Sequence, residues 1–146
     1  GAPFLAHFLS NLLVRDVRAW CVGETRMSVP VSFDNGDVAL KKGDLSKALD
    51  LYRAELERHP GHPDAYLRMS EAHLAIGDRE KACACIAEAA LSAKDPHRKG
   101  PILLQLAGQR TQDGEIRMAR QVLEDLLTDP ALVPYHAAAR NRLGGL

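Results

Sequence analysis

The chain has 146 residues, enough for one domain with a hydrophobic core and too few for two domains of ordinary size. Nineteen basic and nineteen acidic residues cancel, which argues against a nucleic-acid partner, because binding a polyanion requires an excess of positive charge. Three cysteines without a disulfide-framework spacing favour a cytoplasmic location, and no apolar run reaches the roughly eighteen residues of a transmembrane helix.

Residues 1–26 form the first predicted element, an amphipathic helix over residues 3–21 that ends near Gly23. Its apolar residues gather on one side of a helical wheel: Leu5, Phe8, Leu9, Leu12, Leu13 and Trp20. The leading glycine and the internal Met27 leave open whether all of this segment is native to the chain. If it is native, its apolar side needs a covering surface in the same molecule, in a second copy by exchange, or at a membrane.

Three glycines followed by an acidic residue recur further along the chain: Gly43-Asp44, Gly77-Asp78 and Gly114-Glu115. Each glycine follows a small residue and precedes an alanine and then a large apolar residue. The small residues are Gly36, Ser70 and Ala107, the alanines are Ala48, Ala82 and Ala119, and the large residues are Tyr52, Ile86 and Leu123. Two helices cross closely only where their side chains are small, so each unit is predicted to be a helical hairpin. The glycine would end the first helix in the left-handed conformation, and Asp44 and Asp78 would cap the second helix.

Proline clusters mark the joints between the hairpins, because proline ends one helix and suits the first turn of the next. They lie at Pro60 and Pro63, at Pro96 and Pro101, and at Pro130 and Pro134. The predicted domain spans residues 27–146, with repeats at about 29–62, 63–96 and 100–133 and a short closing helix at 134–143. Pro30 and Gly36 weaken the first repeat, whose first helix is predicted over residues 34–42 only.

A period near 34 residues with this order of small and large side chains resembles the tetratricopeptide repeat family. In the best copy, residues 63–96, the signature positions hold Tyr66, Met69, Ser70, His73, Gly77, Ala82, Ile86 and Ala89. His73 departs from the usual aromatic residue. The resemblance implies an all-α fold, an α-solenoid of antiparallel helical hairpins, and the alternative is an ordinary antiparallel helical bundle.

The residue pairs that suggest chemistry do not complete a site. Cys83 and Cys85 are two residues apart, so on a helix they point about 200° apart and cannot share a metal or readily form a disulfide. Cys83 is predicted in the core and Cys85 near the surface. His59 and His62 bracket a turn, but a zinc site needs three or four protein ligands. The sequence therefore predicts no enzyme, no metal site and no cofactor.

The family resemblance implies a concave groove lined by the first helix of each hairpin. By register, its floor would comprise Phe33, Asp37, Leu40, Leu67, Glu71, Leu74, Leu104, Gly108 and Thr111, a largely apolar set. Family members that grip the acidic C-terminal tails of heat-shock chaperones carry Lys, Asn and Arg on these helices. The corresponding residues here are Phe33, Asp37, Arg68, Pro101 and Gln105, so this carboxylate clamp is missing.

An apolar groove suits an amphipathic or apolar helix from a protein or peptide partner, or the N-terminal segment of the same chain. We therefore predict a non-enzymatic protein–protein interaction module, an adaptor or chaperone-like binder. Two alternatives stay open. The leucines pack only between the hairpins, or the groove is a permanent contact in a homo-oligomer or a larger complex.

Overall fold

Antiparallel helical hairpins stack one after another along the chain. The computed structural model describes the backbone of residues 23–146 and the side chains of residues 33–146. The helices are α1 (Gly23–Lys42), α2 (Leu45–Arg58), α3 (Pro63–Ile76), α4 (Arg79–Ser92), α5 (Pro96–Gln112), α6 (Ile116–Thr128), a 3-10 helix (Pro130–Tyr135) and α7 (His136–Gly144). Successive helices contact each other, and the described residues contain no strand. The predicted all-α solenoid is confirmed.

Each hairpin turns at a glycine with positive φ, as the repeat pattern predicts. The φ angles are 84° at Gly43, 96° at Gly77 and 81° at Gly114. At the second elbow the amide of Asp78 donates to the carbonyl of His73 over 2.8 Å, which ends α3 in a Schellman motif. The Asp78 carboxylate then accepts the amide of Lys81 over 3.1 Å and caps α4, and Asp44 caps α2 in the same way. The local chemistry of these elbows therefore sets where each hairpin bends.

Small and large residues meet inside each hairpin. The three alanines and the three large residues of the repeat pattern are at most 1% exposed: Ala48, Tyr52, Ala82, Ile86, Ala119 and Leu123. The small residues on the first helices, Gly36, Ser70 and Ala107, are buried as well. The small and large residues that the repeat pattern singles out are therefore the residues that pack inside each hairpin.

Three core clusters run along the stack. The first joins α1, α2 and α3 around Tyr52, the second joins α4 and α5 around Ile86, and the third joins α5, α6 and the C-terminal helices around Leu123. Each hairpin buries its apolar side against its neighbours, so stability depends on contacts between adjacent repeats.

The first helix is longer than predicted. The prediction of a helix over residues 34–42 was wrong, because α1 begins at Gly23 and continues through Pro30 and Gly36 to Lys42. Proline and glycine both disfavour a helix interior. At Gly36, packing of α1 on α2 outweighs this preference, because a Cβ atom there would lie 2.6 Å from the Tyr52 ring.

The remaining boundaries differ by a few residues. The closing helix predicted at 134–143 is a 3-10 helix followed by α7, and both cover the third cluster. α5 begins at Pro96, before the predicted start of the third repeat, because Asp95 caps it by accepting the amide of His97 over 2.9 Å. The amphipathic helix predicted at residues 3–21 lies outside the described residues, whereas residues 23–26 belong to α1.

Candidate functional site

Three of the nine predicted groove residues line one depression between α1 and α3. Asp37, Leu40 and Glu71 border it together with Lys41 and Arg68, and its volume is about 270 Å³. We call this the α1–α3 depression. The 34-residue register thus brings the first helices of neighbouring hairpins together at one surface.

A chain of polar contacts crosses the α1–α3 depression. Tyr52 of α2 donates its hydroxyl to Asp37 over 2.5 Å, and the Asp37 carboxylate lies 3.3 Å from Nε of Arg68. Nη1 of Arg68 donates to Glu71 over 3.0 Å. Burial, together with the hydrogen bond to Asp37, raises the pKa of the Tyr52 hydroxyl well above its ordinary value, so the phenol remains a donor. The Arg68 guanidinium is therefore shared between two carboxylates.

Gly108 and Thr111 line a second depression, beside the closing helix. It has a volume of about 340 Å³, and α7 contributes Arg142 to its wall. Nη1 of Arg142 donates to the backbone carbonyl of Leu104 over 2.7 Å. The same nitrogen lies 3.1 Å from where a Cβ on Gly108 would be. We call this the α5–α7 depression, and it places a cation at the C-terminal end of the predicted groove.

The other four predicted groove residues differ in their exposure. Phe33, Leu67 and Leu104 are half-buried and pack against the first, second and third core clusters respectively. Leu74 is 36% exposed. Several leucines of the predicted floor thus have a packing role between helices, and the floor carries charged groups beside its apolar ones.

Three basic residues at these depressions, Lys41, Arg68 and Arg142, were not among the predicted groove residues. Lys41 lies one residue beyond the register position of Leu40, and Arg142 lies in the closing helix, which was not treated as a repeat. In two places a basic residue lies against the first helix of the preceding hairpin. Arg68 of α3 lies beside α1, and Arg142 of α7 lies beside α5.

The two described cysteines are free thiols that are buried or half-buried. Cys83 is fully buried as predicted, and its burial raises the pKa of its thiol. Its sulfur lies 3.6 Å from the carboxylate of Asp113, which also accepts from Arg79 over 2.6 Å and from Gln109 over 3.0 Å. Cys85 is half-buried against the first core cluster, deeper than its predicted place near the surface. The Asp113 network therefore joins α4 to the end of α5.

His62 caps α3, because its Nδ1 accepts the amide of Ala65 over 3.1 Å. Its ring also lies 5.4 Å from that of Phe33. In the described part of the chain, no group of three or more His, Cys, Asp or Glu side chains could hold a metal ion. Among the described helices, none combines the length and the apolar character that crossing a membrane requires.

The hairpin stack matches a known repeat family. The sequence profile described as tetratricopeptide repeat matches residues 39–100, which include α2, α3 and α4. Residues 39–100 belong to the tetratricopeptide repeat family. Among solved structures, the tetratricopeptide repeat domain of Sgt2 from Aspergillus fumigatus is similar, with 19% identity over 80% of each chain and a TM-score of 0.57. This likeness shows the fold, and no curated protein matches the chain.

The resemblance drawn from the sequence is thus confirmed by the family profile and by the fold. Tetratricopeptide repeats are typically protein–protein interaction modules without catalysis. The chain is accordingly an interaction module in its general class, and the depressions described above are the candidate surfaces for a partner.

Proposed function

We propose that the chain binds an amphipathic helical segment of a partner protein on the face made by α1, α3 and α5. The α1–α3 depression carries this proposal, because charged side chains border apolar ones there. Leu40 lines it, and Leu74 lies one helical turn from Glu71 on the same side of α3. Leu40 and Leu74 occupy the same position in neighbouring repeats and offer apolar contacts to the apolar stripe of a helix, and the charged residues suit its polar edge.

The charges favour an amphipathic occupant over a wholly apolar one. Asp37, Arg68 and Glu71 are linked by ion pairs whose side chains are 28%, 40% and 49% exposed, so solvent still reaches them. A wholly apolar helix laid over them would remove this water and supply no hydrogen bonds, which is unfavourable for charged groups. An amphipathic helix can place polar side chains over the ion pairs and apolar ones over the leucines.

The same charges disfavour an acidic tail as the occupant. The α1–α3 depression carries two acidic and two basic side chains: Asp37, Glu71, Lys41 and Arg68. Arg68 already pairs with both carboxylates, so an incoming carboxylate would compete with them and gain little. This agrees with the missing carboxylate clamp of the sequence.

Peptide titrations followed by NMR test the proposal. The full chain is titrated with soluble amphipathic helical peptides that have apolar residues at i, i+3, i+4 and i+7, and separately with acidic C-terminal tail peptides. We expect saturable shifts of the Leu40, Glu71 and Leu74 amides with the first set, and unchanged signals around Leu91 of α4, which is 73% exposed. Binding of the acidic peptides alone, or shifts confined to α4, would contradict the proposal.

Sedimentation separates this proposal from the permanent-assembly alternative. A chain that is monomeric at nanomolar concentration and binds the amphipathic peptides fits an adaptor. A homo-oligomer that persists on dilution and binds peptide only after dissociation would favour an assembly subunit instead.

A further inference from the structure

Asp37, Glu71 and Gly108 occupy the same position in the three repeats. Each lies six residues before the elbow glycine of its hairpin, on α1, α3 and α5 respectively. Two of the three residues are acidic, and the third has no side chain. The repeat therefore offers a carboxylate at this position in its first two copies and none in its third.

A basic side chain from the following helix of the stack lies against this position in the first repeat and in the third. Nε of Arg68, in α3, lies 3.3 Å from the Asp37 carboxylate of α1. Nη1 of Arg142, in α7, lies 3.1 Å from where a Cβ atom on Gly108 of α5 would be. Arg142 thus stands beside residue 108 as Arg68 stands beside residue 37, but residue 108 supplies no acid to pair with it.

The Arg142 guanidinium has unused hydrogen-bond donors. In the described part of the chain, its side chain donates only to the backbone carbonyl of Leu104 and forms no ion pair. A guanidinium carries several N–H groups in a planar fork that matches a carboxylate, so further donors remain for an acidic partner. Arg142 is exposed, so a partner can reach these donors from solvent.

The rest of the α5–α7 depression is uncharged. Arg142 is the only charged residue among the described residues that line it, and Ala107, Leu123 and Leu146 give it an apolar wall. A binding site of this kind, with one charged group beside apolar contacts, fixes the orientation of its ligand through the charge. The α1–α3 depression differs, because its two basic side chains are matched by two acidic ones.

We propose that a glutamate on the polar edge of the partner helix enters the α5–α7 depression and pairs with Arg142, as Asp37 pairs with Arg68. This inference rests on the proposed function, because the partner helix supplies the carboxylate. The charge on Arg142 attracts the acidic end of the helix, whereas the balanced α1–α3 depression favours neither sign. The position of the glutamate therefore determines which end of the helix lies over α5.

Three amphipathic helical peptides with the same apolar residues test this preference against the full chain. One has a glutamate near its N-terminus, one has it near its C-terminus, and the third has glutamine at both places. We expect one of the two glutamate peptides to bind about three- to tenfold more tightly than the glutamine peptide, as a partly exposed charged pair allows. The direction of the bound helix decides which of the two it is.

Variants at Arg142 and Gly108 locate the carboxylate. Arg142→Gln should remove the preference for glutamate, because glutamine can still donate to the Leu104 carbonyl but carries no charge. Arg140→Gln is the matched control on the same helix, at an exposed position outside the depression, and should keep the preference. Gly108→Glu should remove it by supplying the carboxylate within the chain, whereas Gly108→Gln, of the same size, should keep it. The preference is the ratio of two dissociation constants within one variant, so a general loss of affinity does not alter it.

The outcomes separate this inference from the proposed function. Equal affinities of the three peptides for the parent chain would overturn the inference and leave the proposed function standing. If none of the three peptides binds, the proposed function is wrong and the inference falls with it. A preference that survives in Arg142→Gln and disappears in Lys41→Gln would place the glutamate at the α1–α3 depression, and that result would also overturn the inference.

Discussion

A Cβ atom on Gly36 would lie 2.6 Å from Cε1 of Tyr52, so α1 and α2 reach their observed separation because residue 36 has no side chain. Ser70 and Ile86 occupy the same two positions in the second hairpin, and Ala107 and Leu123 occupy them in the third. The first hairpin has the largest partner and the smallest residue of the three. The two positions thus share the space between the helices.

Gly36→Ala should destabilise the chain even though alanine is the better helix former. The added methyl group must displace the Tyr52 ring, and overpacking of this kind typically costs about 1 to 3 kcal/mol. Urea denaturation measures the change. Gly108→Ala is the matched control, because its Cβ would meet only the flexible end of Arg142 at 3.1 Å and alanine favours the helix. Equal stability of the two variants would contradict the close packing of Gly36.

Substitutions on α3 and α4 should separate core positions from groove positions. Ala82→Leu should destabilise strongly, because residue 82 is fully buried where two helices cross. Leu74→Glu should leave the melting temperature nearly unchanged, because Leu74 is partly exposed. Leu67→Glu should fall between them, since Leu67 packs against the second core cluster. Thermal melts check the order, and a Leu74→Glu variant that melts below Ala82→Leu would show that the register is wrong.

The helical repeat could be predicted from the sequence, whereas the charged contacts on its surface could not. Gly77 and Asp78 act on their own neighbours in the chain, so the elbow can be predicted from local residue types. The helical conformation of Gly36 could not be predicted in this way, because the packing of α1 on α2 outweighs the low helix propensity of glycine. Likewise, the ion pair between Asp37 and Arg68 joins two hairpins, and spacing alone does not show which charges meet across such a joint.

The stability of the chain should depend on pH through His73. Burial lowers the pKa of this imidazole, so the unfolded chain binds a proton more readily than the folded one. Its contribution to stability is fully present above the unfolded pKa of about 6.5 and is lost as the pH falls toward the lower folded value. Asp78, Lys81 and Arg53 are the charged groups that act on it.

Denaturation curves between about pH 5 and pH 8 measure this effect, with His73→Phe as the comparison because aromatic residues are usual at this family position. The parent should lose more free energy of unfolding on acidification than the variant. Parallel pH profiles would mean that His73 titrates normally in the folded chain.

Cys83 should react slowly with alkylating reagents in the folded chain. Burial raises the pKa of its thiol, and the thiolate is the reactive form. We expect labelling of Cys83 with iodoacetamide at neutral pH to be at least about tenfold faster in urea than in buffer, as read by mass spectrometry of the peptides. Burial raises the pKa of the Cys85 thiol as well, so we expect Cys85 to label faster than Cys83 only because it is less buried. The opposite order would show that α4 is rotated from its described orientation.

The affinity of an amphipathic helical peptide for charge variants of α3 shows whether a partner binds at the face of α1, α3 and α5. Leu74→Glu and Glu71→Lys change the α1–α3 surface without touching the core, and Leu91→Glu introduces the same new charge on α4. We expect Leu74→Glu to raise the Kd by roughly tenfold or more, because a charge replaces an apolar contact, and Leu91→Glu to leave it unchanged. Glu71→Lys should shift the preference toward peptides with an acidic polar edge. If Leu74→Glu and Glu71→Lys bind the peptide as the parent does, or if Leu91→Glu weakens binding most, then the partner does not bind at the face of α1, α3 and α5.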